Sequence, residues 1–117
     1  MAFRVTPRKS DLTGGVLALA VFLSVVVPVA GAVNIVIVSQ RNRHFHPDTL
    51  IIARGTVVHV INDDRVTHHV YVDSATMKFD SGEQPVGTTV DLEFDHPGTY
   101  QVLCAIHPTM HLVVTVK

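Results

Sequence analysis

His96 to Lys117 reads HPGTYQVLCAIHPTMHLVVTVK. A Pro-Gly turn opens it, and Tyr100, Val102 and Cys104 then share one face of an extended chain while Gln101 and Leu103 share the other. That is the period of a half-buried strand. A short loop leads to a second run, His111 to Lys117, rich in β-branched residues. Working outward, Val90-Asp91-Leu92-Glu93-Phe94 shows the same alternation, apolar on one side and acidic on the other. NIVIVS, TLIIAR, TVVHVIN, HHVYV, TTVDLEF, TYQVLCA and HLVVTVK make seven candidate strands separated by turn residues such as HPDT, ARGT, NDDRV and HPGT. With few amphipathic patterns of helix length beside them, they predict an all-β fold, an antiparallel Greek-key sandwich. Asp73 to Gly87 is the least regular segment and reads as a long excursion between the sheets.

The first third of the 117 residues has a different character. Arg4, Arg8 and Lys9 precede an uncharged run from Val16 to Val27, and small residues stand at Ala30 and Ala32. Basic, apolar and A-x-A segments in this order predict a secretory signal peptide over residues 1–32, cleaved after Ala32. The alternative is an uncleaved anchor, although the uncharged run falls short of the roughly 20 residues of a membrane span. Removing the leader leaves residues 33–117, with six Lys or Arg against nine Asp or Glu, a formal charge of −3. Such a surface gives no reason to expect nucleic acid as a partner. A domain this small often needs a staple, and its single cysteine excludes an internal disulfide. A bound metal is the physical alternative.

Cys104, His107 and Met110 are spaced C-x2-H-x2-M between two strands, so a thiolate, an imidazole and a thioether converge on one loop. Taken singly, Cys104 and Met110 read as packing residues and His107 as a loop histidine. Together they form a soft donor set that suits copper, wanting one more imidazole. NDDRVTHHVYV offers it in His68 or His69, which strand alternation sends to opposite faces.

The stretches GTVVHVINDD, THHVYV and HPGTYQVLCAIHPTMHLVVTV resemble the two sequence blocks of the cupredoxins, the small blue copper proteins that include plastocyanin, pseudoazurin and amicyanin. The resemblance spans Asn34 to Lys117, and the compressed C-x2-H-x2-M loop is most similar to that of amicyanin. It implies a cupredoxin-like domain over residues 33–117 and one type 1 copper ion held by His68, Cys104, His107 and Met110. It further implies an exit for electrons at His107, through an uncharged patch of Ala105, Ile106, Pro108 and Pro47. Two positions depart from the family pattern. His69 stands where an Asn commonly ties the ligand loops together, and His111 stands near where a Gly commonly follows the Met.

Four protein ligands leave no coordination position for a substrate, and no Ser-His-Asp set or carboxylate pair in a catalytic context accompanies them. The reading is therefore a periplasmic electron-transfer protein, not an enzyme, monomeric, meeting redox protein partners transiently and free of the membrane once the leader is removed. A copper carrier or storage protein, recruiting His44 and His46, is the second reading, and a metal-free structural sandwich the third. His59 and His96 read as solvated surface residues.

Overall fold

The structure is a computed structural model that describes residues 2–7, 9–10, 14–29 and 31–117. It separates into two units, Met1–Ala30 and Gly31–Lys117. In the first, the described residues are exposed and adopt no helix or strand, and Arg8 and Ala30, which enter the reading of the leader, lie outside the described residues. No helix among the described residues is long and apolar enough to cross a membrane.

The second unit holds nine strands: β1 (Ile35–Arg41), β2 (His44–His46), β3 (Thr49–Ile52), β4 (Val57–Asn62), β5 (Val70–Asp73), β6 (Lys78–Asp80), β7 (Thr89–Glu93), β8 (Gly98–Cys104) and β9 (His111–Val116). They form a four-stranded sheet in the order β2-β1-β4-β7 and a five-stranded sheet in the order β3-β9-β8-β5-β6. All seven expected runs are strands. β2 and β6 are additional, three residues each. Neighbours pair antiparallel except β1 with β4 and β3 with β9, which are parallel, so both sheets are mixed. The segment from Asp73 to Gly87 is less free than it reads: β6 extends the larger sheet beside β5, and Gln84 bridges to His68.

Alternation sets the core. Tyr100, Val102 and Cys104 of β8 are buried, as are Leu112, Val114 and Val116 of β9, Val58 and Val60 of β4, and Leu92 and Phe94 at β7. Register stacks them into layers, with Val102 opposite Leu112 and Val58 opposite Leu92. Phe94 and Tyr100 meet edge to face at 5.2 Å, a geometry that adds to the burial of both rings. The Tyr100 hydroxyl donates to the His96 carbonyl at 2.7 Å, which pins the turn entering β8.

One end of the sandwich is polar inside. Gln40 lies opposite Asn62 in the last pair of the β1–β4 ladder, and both are fully buried, together with His68 and Gln84. Asn62 Nδ2 donates to the Val66 carbonyl at 2.9 Å and to that of Gln84 at 3.0 Å; Gln84 Nε2 donates to Val60 and Thr88 carbonyls, each at 3.0 Å. These bonds hold the two long loops of this end in place. Among the described residues the carboxamide of Gln40 has no protein partner at either polar atom. A buried unpaired amide costs about 1–3 kcal/mol. Gln40→Met removes that cost at nearly constant volume, and chemical denaturation of the metal-free protein should show it more stable by about 1–3 kcal/mol; equal or lower stability would contradict the packing described here.

Candidate metal centre

Each donor is placed by the end of a strand at the polar end of the sandwich. Cys104 closes β8 and is buried because Tyr100 and Val102 set its face. His68 sits two residues before β5, fully buried, and its backbone exchanges two hydrogen bonds with Gln84, at 2.7 and 3.0 Å. His107 lies in the loop between β8 and β9, half-buried. Met110, buried just before β9, donates its backbone N–H to the His107 carbonyl at 3.0 Å, which closes the loop into a turn.

Among the described residues, one group of His, Cys and acidic side chains converges as a metal site: His68, Cys104 and His107. The two Nδ1 atoms are 3.1 Å apart, and Cys104 Sγ stands 3.8 Å from that of His68 and 3.7 Å from that of His107. The point equidistant from all three lies about 2 Å from each, within the range of first-row metal–nitrogen and metal–sulfur bonds, about 2.0–2.3 Å. The donor set therefore fits a soft or borderline metal ion in both chemistry and spacing.

Backbone geometry joins the two donor loops. Val70 pairs with Cys104 across β5 and β8. Just beyond that pair, the His69 N–H donates to Cys104 Sγ at 3.4 Å and the Ala105 N–H donates to the His69 carbonyl at 2.9 Å. The His69 ring is not part of this tie. It points to the other face and bonds Asp80 of β6 through Nε2, and Asp80 is fixed in turn by the Gly82 N–H at 2.8 Å. Linking the loops therefore falls to the backbone of residue 69, and its side chain anchors the edge strand instead.

His68 is held from its far side as well. Its Nε2 lies 3.1 Å from Asp64 Oδ2, the carboxylate four residues before it. Burial pushes the Asp64 carboxyl up, but the backbone N–H groups of Arg43 and Arg65, followed by the His68 ring, outweigh it and hold the pKa at about 2. An ionised carboxylate only accepts, so His68 Nε2 is the donor and its Nδ1 carries the lone pair that faces Cys104 and His107. Burial first, then the His68 ring and the Arg43 guanidinium, lower the His107 pKa against an opposing pull from Asp64. A lowered pKa favours the neutral imidazole that a metal requires.

The remaining histidines stay apart from the cluster. His44 and His46 are exposed, with ring nitrogens on the backbone carbonyls of Asn42 and Arg41. His59 is more than a solvated surface residue, because its ring pairs with Asp91 on the neighbouring strand. His96 and His111 are exposed, His111 on the strand face opposite Met110. Asp64, Asn62, Gln84 and Asp80 are absent from the sequence expectation. Only the i, i+4 spacing of Asp64 and His68 could have signalled one of them.

The family model for copper binding proteins of the plastocyanin/azurin family matches residues 32–117. Comparison with curated protein sequences returns no relative. Among solved structures, a reduced amicyanin variant aligns with a TM-score of 0.67 at 22% identity, over 74% of this chain and 86% of that one. A purple cupredoxin from Nitrosopumilus maritimus aligns with a TM-score of 0.62 at 26% identity, over 69% of this chain and 98% of that one. A copper-containing nitrite reductase from Thermus scotoductus SA-01 aligns at 0.66 and 24% identity, but the match covers 25% of that enzyme's chain. The chain belongs to the plastocyanin/azurin family of copper-binding proteins, a cupredoxin whose centre takes one copper ion.

Proposed function

We propose that this protein is an electron carrier with a mononuclear type 1 copper site, exported to the periplasm. The observation that carries the reading is the triangle of two imidazole Nδ1 atoms and one cysteine Sγ, buried at the end of a rigid sandwich beneath a half-exposed His107. His68, Cys104 and His107 would hold the copper, with the buried Met110 thioether of the same loop as a further, weaker donor. Copper so bound supplies a one-electron couple between Cu(I) and Cu(II).

The chain's own residues then do three things. The tie between residues 69 and 104–105 braces the two donor loops against each other, so a bound copper would find its donors already in place. Burial of His68, Cys104 and Met110 excludes water from the inner side. His107 is the only one of the four with an accessible edge, next to exposed Ala105, Ile106 and Pro108, and that edge is the electron's way out. A small uncharged patch suits partners that bind briefly and leave. The same filled donor set argues against an enzyme, since a catalytic metal keeps an open position. Export rests on the leader pattern, and the family match and the compact unit begin at residues 32 and 31, beside the expected cleavage after Ala32.

Visible spectra, mass spectrometry and stopped-flow kinetics test this reading. The copper-loaded protein should be intensely blue and bleach reversibly on reduction. Cys104→Ser and His68→Ala should each abolish the band in visible spectra, while His69→Ala, whose side chain bonds only Asp80, should retain it. Loss of colour in His69→Ala alone would place the wrong histidine on the metal. Mass spectrometry of the protein from a periplasmic extract should find an N-terminus at Val33; a retained leader would make it an anchored form. Ala105→Glu should slow electron exchange with the physiological partner severalfold while leaving the visible spectrum unchanged, and unaltered stopped-flow rates would mean that electrons leave by another face.

A further inference from the structure

We propose that Asp64 is a positioning residue of the copper site, which fixes the ring of His68 in its metal-binding tautomer and biases the copper toward its oxidised state. This rests on the reading of His68 as a ligand. Asp64 is not itself within the donor cluster. Its position four residues before His68 places it behind the ring, on the side away from Cys104 and His107.

The carboxylate is immobilised independently of the ring. Oδ1 accepts from the Arg65 N–H at 2.9 Å, and Oδ2 accepts from the Arg43 N–H at 2.8 Å. The Asp64 N–H donates in turn to Asn62 Oδ1 at 3.0 Å, and Asn62 is fully buried and bonded to both long loops. Arg43 is itself set for this contact. It is the second residue of a two-residue turn between β1 and β2, and both turn residues have positive φ, 51° at Asn42 and 57° at Arg43. Such a type I′ turn favours Gly at its second position, and a long side chain there carries strain. The bond from Arg43 N–H to Asp64 links this turn to the loop that carries His68.

Two effects on the metal follow. An imidazole binds through whichever nitrogen is left without a proton, and a hydrogen bond from the other nitrogen decides which one that is. With Asp64 accepting from Nε2, only Nδ1 is available, and it is the nitrogen that faces Cys104. The second effect is electrostatic. The Asp64 side chain is only 11% exposed, so solvent screens it poorly, and its negative charge favours the more highly charged Cu(II). Removing that charge should therefore raise the reduction potential.

Asp63 provides the control. It is adjacent, carries the same charge, is exposed, and accepts from the Ser39 hydroxyl and not from a ligand. Voltammetry of the copper-loaded proteins should show Asp64→Asn shifted upward by at least a tenfold change in the one-electron equilibrium constant, about 59 mV, with Asp63→Asn close to the parent. Equal shifts in the two variants would reduce Asp64 to a general charge effect and overturn the proposal, as would no shift in Asp64→Asn with its blue band intact. Should Asp64→Asn fail to fold, nitrogen-15 NMR of the unaltered metal-free protein decides the matter. The proposal requires His68 to carry its proton on Nε2, and a proton on Nδ1 would sink it. A parent protein that never turns blue would refute the ligand reading, whereas the NMR result would still report on the hold of Asp64 on the ring.

Discussion

Val70 lies opposite Cys104 where β5 meets β8, and the geometry of the centre descends from that pairing. Because side chains alternate along a strand, this register turns His68 inward toward Cys104 and His69 outward toward Asp80. It also extends the ladder by the two bonds that link residue 69 to residues 104 and 105, so the donor loops are braced by backbone. A slip of one residue would exchange the two histidines and leave a buried thiol without its partner ring. The sheet register thus decides which of the two histidines faces the thiol.

Around that pairing, polar groups occupy the end of the sandwich that a larger apolar core would otherwise fill. Asn62, Asp64 and Gln84 each bond to more than one segment, and together they define the loops that flank β5. Buried polar groups cost stability unless they are satisfied. Here the donors and acceptors are spent on fixing one imidazole from both sides, with Nδ1 toward the centre and Nε2 toward Asp64. Among the described residues no carboxylate bonds the outer side of His107, which is half-exposed, and burial is the main cause that lowers its pKa. The two imidazoles are chemically alike and differ in environment, one locked and one facing solvent.

Much of this was legible in the sequence, and the parts that were not have physical reasons. The long strands announce themselves because five or more alternating residues establish a period, as in Val90 to Phe94 and Tyr100 to Cys104. β2 and β6 have three residues each, too few to show one, and they form only because β1 and β5 offer ladders beside them. Parallel pairing of β1 with β4 leaves the same one-sided alternation as antiparallel pairing, so the pattern could not reveal it. At the centre, Cys104, His107 and Met110 were conspicuous by spacing, and His68 by strand face and family resemblance. Asp64 was not, because in Asn62-Asp63-Asp64-Arg65 it reads as a turn residue. Its partner Arg43 lies in a different turn, and only the folded chain brings the two together. At His69 the loops are tied where the family pattern has its Asn, but by the main chain, which no side-chain pattern can show.

The parallel pairing of β3 with β9 sets an order of events. Thr49 to Ile52 lie beside Val113 to Val116, far apart in sequence, so β3 has no partner in the larger sheet until β9 has docked between it and β8. Contacts this distant in sequence form late and slowly. Cys104, His107 and Met110 all precede β9 closely and are positioned only when that strand docks. An unfolded chain therefore has no assembled cluster of thiol and imidazoles, and the donors converge only as the sandwich closes.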